Sequence, residues 1–140
     1  MPSIYLTKSL WSYKFRKLTY LIRAIGAYGL LNLTLFLKRL SNPNKTFVGI
    51  LLAEHLGDIV ASEPIIDALH KKFEDAEIYW IVKPVFAPIL TKHPGLSKVI
   101  LETNILFSIF IARKNAFSQF YNLHLNDLRK DPFFGTKLEN

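Results

Sequence analysis

The sequence predicts an α/β protein: a Rossmann-like parallel sheet with flanking helices, preceded by a basic amphipathic helix. Three observations predict it. From residue 46 onward, apolar runs of strand length alternate with helix-length stretches, the pattern of a parallel sheet with right-handed crossovers. The first run, residues 47–53 (FVGILLA), carries no charge, as a strand buried on both faces requires. Residues 1–53 hold eight basic side chains and no acid, whereas the rest of the chain holds ten basic and eleven acidic ones. The chain therefore divides into a basic leader and linker, 1–45, and a nearly neutral domain, 46–140.

Composition bounds the function classes. Half of the 140 residues are apolar, enough for a packed core and unlike a disordered chain. The absence of cysteine rules out disulfides and thiolate metal sites.

Placed on a helix, residues 11–40 put Trp11, Phe15, Leu18, Ile22, Ile25, Gly29, Leu33, Phe36 and Leu40 on one stripe, with Arg16, Arg23, Thr34 and Lys38 on the other side. A basic amphipathic helix of this kind lies in a membrane interface, and each Lys or Arg near an anionic leaflet adds roughly 1 kcal/mol. A helix packed on the domain, with solvated charges opposite, is the rival reading. The expectation carried forward is a membrane surface met by residues 1–40. A spanning helix is disfavoured, because the uncharged run 24–37 has 14 residues against the ~20 a bilayer needs. No small-residue cleavage site follows that run, so a cleaved signal peptide is not expected. Nucleic acid is not expected as a partner, since the basic residues alternate with Leu and Ile and no nucleic-acid module is present. Ser41-Asn42-Pro43-Asn44 ends the helix.

In the domain, 59–73 reads as a helix with Ile59, Ile66, Leu69 and Phe73 inward. Residues 77–82 (EIYWIV) read as strand two, 84–92 as a short helix stopped by His93-Pro94-Gly95, and 98–101 (KVIL) as strand three. Residues 105–116 read as an apolar helix and 119–125 as strand four. The tail, DPFFGTKLEN, reads as a loop or a further helix start.

Ligands of such sheets bind beyond the C-terminal strand ends, which makes Glu54-His55-Leu56-Gly57-Asp58 the loop of interest. Its single glycine is no dinucleotide fingerprint, no GK[ST] follows, and Lys83 stands where a ribose-binding acid would sit after strand two. No second cluster joins Glu54, His55 and Asp58 to make a metal site. Asp58 is left with two readings: an N-cap that accepts backbone N–H bonds, or a general base for a sugar hydroxyl.

The ordered set VGILLA, HLGDIVASEPIIDALHKKF, DAEIYWIVKPVFAPIL, HPGLSKVIL and FYNLHLN resembles the N-terminal domain of the family-nine glycosyltransferases, whose best-known members are the lipopolysaccharide heptosyltransferases. The resemblance implies the N-terminal, acceptor-side half of a two-domain GT-B fold, and an inverting, metal-independent transfer without a cofactor. The sugar would move from a nucleotide donor such as ADP-heptose to a lipid-linked saccharide, in lipopolysaccharide or other envelope glycan synthesis. It gives Asp58 the role of catalytic base and sets Gly57 close to the acceptor. His55, Ser62 and Asn126 become acceptor contacts, and His124 is placed near them at the end of strand four. It further implies a donor-binding C-terminal domain that this chain does not supply, and a cytoplasmic location peripheral to the inner membrane. The leader is longer than the family's usual start. A non-catalytic, membrane-held Rossmann-like scaffold, or a truncated gene product, stands as the alternative.

Overall fold

The computed structural model describes residues 3–114, 116–124 and 129–138. Helix α1, Ser3–Ser41, leads into strand β1, Thr46–Leu51. Pro43 cannot continue a helix, and the chain turns there, with Lys45 N donating to Asn42 O at 3.2 Å. Helices α2, Leu56–Ser62, and α3, Ile65–Lys72, connect β1 to β2, Ala76–Val82. A 3-10 turn, Pro84–Phe86, and helix α4, Ala87–Leu90, lead to β3, Lys98–Leu101; helix α5, Ile105–Lys114, leads to β4, Gln119–Asn122. All strands are parallel, in the order β3-β2-β1-β4. The first apolar run is thus a central strand, registered Val48 to Ile78 on one side and Val48 to Gln119 on the other.

Two expected elements change shape. The helix expected over 59–73 is broken in two, because Pro64 has no N–H to give and opens a new helix at φ −59°. Strand β4 stops at Asn122. Beyond it the ladder passes to a side chain: Leu123 N still donates to Leu51 O at 2.9 Å, and Ala53 N donates to His124 Nε2 at 3.1 Å. Leu125 and Asn126 lie outside the described residues.

Alternation along the strands builds two apolar layers. Val48, Ile50, Ile78, Trp80 and Val82 meet Ile59, Ile66, Leu69 and Leu90 from α2, α3 and α4. Phe47, Leu51, Tyr79 and Ile81 meet α5 and, with it, Ala24, Leu31 and Leu35 of α1. Gly49 makes the second layer possible, since a Cβ there would sit 2.4 Å from the Phe117 ring.

The leader helix is therefore one wall of the sheet, and it packs by a face opposite to the apolar stripe. Its inner face mixes apolar and charged residues: Ala24 and Leu35 are fully buried, Lys38 pairs with Glu77 at 2.6 Å, and Arg39 donates to Ala116 O at 2.7 Å. Trp11, Phe15, Leu18, Ile22, Ile25, Leu33, Phe36 and Leu40 remain between 52% and 74% exposed. Charge on the inner margin and apolar surface outside reverse the usual order of a surface helix. By length and composition the helix also suffices to cross a membrane.

The tail forms an ordered loop beside α1. Asp131, 1% exposed, accepts from Phe133 N, Phe134 N and Thr136 N at 3.0, 2.6 and 2.7 Å. Phe133 packs on Tyr13 and Tyr20, with ring centroids 5.7 and 4.9 Å apart.

Candidate functional site

At the C-terminal edge of the sheet, the first charged residue after each of three apolar strands turns toward its neighbours: Glu54 after β1, Lys83 after β2 and Glu102 after β3. Arg129 joins them. Its Nη2 lies 2.7 and 2.8 Å from the two Glu102 oxygens, and its Nη1 is 3.3 Å from His124 Nε2. Its Nε stands 3.5 Å from Glu54 Oε1, within ion-pair reach but without hydrogen-bond alignment. Lys83 pairs with Glu54, and Ser108 Oγ donates to Glu102 Oε1 at 2.8 Å. One network ties together the ends of all four strands. It borders an open cleft of about 600 Å³, lined by Glu54, Lys83, Glu102, Thr103, Asn104 and Arg129 among others.

The network sets the protonation of two of its members, Glu54 and His124. The hydrogen bond from Lys83, with Arg129 nearby, holds the Glu54 carboxyl below the ordinary carboxylate range. Burial, then the Arg129 guanidinium, pushes His124 down to about 4. The imidazole is neutral at pH 7. Nε2 accepts from Ala53 and faces Arg129, which assigns the ring proton to Nδ1. His124 is thus a structural acceptor rather than a cleft-facing ligand.

The loop after β1 holds the residues picked from sequence. His55, not Asp58, is the N-cap of α2, at φ 66°, ψ 96°, and makes no capping side-chain bond. A non-glycine residue at positive φ costs on the order of 1–3 kcal/mol and marks a loop held in a set shape. Asp58 sits in the first turn of α2, exposed, and the N-cap reading falls with that placement. Helix N-termini attract negative charge. Among the described residues Asp58 has no hydrogen-bond or ion-pair partner, whereas Glu54 and Glu102 are paired and His124 is engaged. Gly57 is exposed, and a Cβ there would meet nothing within 4 Å. Ser62, half-buried, ends α2 one turn beyond Asp58 on the same face. His55, Gly57 and Asp58 thus share the turn that opens α2, with Ser62 one turn further on; Asn126 lies outside the described residues. Among those residues, no group of three His, Asp or Glu is placed to hold a metal.

Sequence reasoning passed over Glu102 and Arg129 and used Lys83 only to disfavour a nicotinamide site. A signal existed for two of the three: Lys83 and Glu102 each directly follow the last residue of an apolar strand. Arg129 has no such signal, since it comes from the chain beyond β4.

A second concavity, about 380 Å³, is lined by Arg16, Thr19, Tyr20, Arg23, Thr103, Asn104 and Phe133. It shares Thr103 and Asn104 with the main cleft, so α1 stands beside the site.

No protein-family model matches the chain, and no curated protein matches it. Among solved structures the chain is similar to the glycosyl transferase family 9 protein of Veillonella parvula DSM 2008, with a TM-score of 0.48 and 21% identity. The similarity covers 58% of this chain and 26% of that one, so the chain spans about a quarter of that structure's length. What the site can do is accordingly read from its own residues.

Proposed function

We propose that this chain is the acceptor-side half of a GT-B glycosyltransferase, with Asp58 as its general base. One observation carries the reading: at the functional edge of the sheet, Asp58 is the carboxylate left exposed and unengaged among the described residues, in a Leu-Gly-Asp turn after the central strand. The motif order that resembles the family-nine enzymes supports it. The acceptor hydroxyl gives its proton to an Asp58 Oδ as its oxygen attacks the anomeric carbon. The bond from that carbon to the donor phosphate oxygen breaks, the nucleotide leaves with the electron pair, and the configuration inverts. The Asp58 proton then returns to water.

In this reading the sugar is heptose-like and comes from a nucleotide donor such as ADP-heptose. The acceptor is a lipid-linked saccharide of envelope glycan synthesis, lipopolysaccharide included. A second α/β unit binds the donor, and α1 keeps the acceptor-side half on the cytoplasmic face of the inner membrane. His55, Gly57 and Ser62 border the acceptor hydroxyl.

The test is sugar transfer by the chain joined to a donor-binding α/β unit. Asp58→Asn should lower the rate by roughly 10²–10⁴-fold, the usual weight of a positioned base, while the fold is kept and the change at this exposed side chain costs at most the helix-end charge, up to about 1 kcal/mol. Full activity in that variant would remove the base role. If no donor-binding unit restores transfer to the unaltered chain, a membrane-held scaffold is the better account.

A further inference from the structure

We infer that α1 is an in-plane anchor: it lies lengthwise in the interface of an anionic leaflet, apolar stripe inward to lipid, and does not cross the bilayer. The inference rests on the reading of α1 as a membrane element and decides between its two geometries.

The contacts of the inner face make that decision. They run from Tyr13, whose ring packs at a tilt on Phe133, through Tyr20, whose carbonyl accepts from Asn104 Nδ2 at 3.0 Å, to Arg39 on Ala116 O. Only residues 3–12 precede them, about 15 Å of helix at 1.5 Å per residue. The hydrocarbon core is ~30 Å thick. A spanning α1 would have to strip its inner face from the sheet, exposing the core around Ala24, Leu31 and Leu35 and releasing the Lys38–Glu77 pair.

The outer face suits lipid. Its stripe continues from Trp11, 74% exposed, to Leu40, 66% exposed. A contiguous apolar face of that length marks an interaction surface. At 3.6 residues per turn, Lys8 and Lys14 fall on either margin of the stripe, both exposed, and α1 contains no carboxylate. Lysines on both margins of the N-terminal end of an apolar face complement anionic headgroups over acyl chains. The hydroxyls of Ser12, Thr19, Thr34 and Ser41 donate to carbonyls of their own helix at 2.8–3.2 Å, so none of them needs water.

The chain has no cysteine, so Phe15→Cys, Ile25→Cys and Phe36→Cys each give one site for a fluorophore. Depth is read by brominated-lipid quenching in phosphatidylcholine vesicles with phosphatidylglycerol, and binding by flotation, with pure phosphatidylcholine for comparison. All three labels should lie at one shallow depth, roughly 5–10 Å below the headgroups. Binding should weaken with salt and in the neutral vesicles. The exposed-face variant Phe15→Ser/Ile25→Ser/Leu33→Ser should keep its unfolding midpoint and lose affinity more than about tenfold. A deep label at position 25 between two shallow ones would overturn the in-plane geometry and leave the membrane reading standing. Absence of vesicle binding, with self-association sensitive to the serine variant, would overturn both in favour of a second copy on the stripe.

Discussion

Gly57 separates fold from function at a single position. It lies in the first turn of α2, and open space surrounds the site of a Cβ. Helix propensity alone makes Gly57→Ala stabilising by up to about 1 kcal/mol. We expect a slightly higher melting temperature together with weaker acceptor binding, because the added methyl occupies room that the saccharide would use. Unaltered binding would show that the acceptor stays away from this turn. His124 gives a pH test. Its imidazole stays neutral in the fold down to about 4, whereas an ordinary histidine titrates near 6.5. Between those values the unfolded chain binds more protons, so folding stability is complete above about pH 6.5 and declines as pH falls toward 4. Urea midpoints measured across this window should drop with acid, and His124→Gln, which can still accept from Ala53 N–H, should flatten the drop. These two residues also mark how far residue-level reading reaches. The Leu-Gly-Asp turn was legible because it follows the first apolar strand, at the edge where such sheets bind ligands, and the role of Asp58 came from the family resemblance, not from the loop itself. The buried state of His124 depends on Arg129, five residues on, and no local pattern encodes that meeting.

The strand-end network explains the element scale. Glu102 is 6% exposed, and Arg129 is its cation. Removing one member of a buried pair strands the other, at a cost of roughly 3–5 kcal/mol. Arg129→Met should therefore lower stability by that order in denaturant unfolding, and Arg129→Met combined with Glu102→Gln should recover part of it. A loss under 1 kcal/mol for the single variant would mean that water already solvates Glu102. The strands themselves were legible to within a few residues, because an uncharged run such as 47–53 admits little else. Helix boundaries were less so: Pro64 was visible, but the amphipathic period continues across it, Ile59 and Ile66 both facing the sheet. Strand four was read too long because the pairing of Ala53 passes from backbone to the His124 ring, an exchange that hydrophobicity does not record.

At the scale of the whole molecule, α1 belongs to the core as well as to the outside. Its inner residues cover Phe47, Leu51 and Tyr79 together with α5. Deleting residues 1–41 should leave a chain that binds hydrophobic dyes and unfolds without a cooperative transition; a soluble, cooperatively folded product would show that α5 covers the sheet alone. The sequence showed the apolar stripe plainly and left open what it faced, since hydrophobic period reports a face without its partner. The inward face was hidden because its apolar residues, Ala24, Leu31 and Leu35 among them, are interleaved with Lys38 and Arg39, whose pairing with Glu77 and Ala116 only the sheet makes evident. One amide connects the two ends of this arrangement. Asn104 caps α5 through Phe107 N at 3.0 Å, holds the Tyr20 carbonyl of α1, and borders both concavities. A single amide side chain is therefore shared by the leader helix, the start of α5 and the rim of the cleft, so any substitution of Asn104 acts on all three at once.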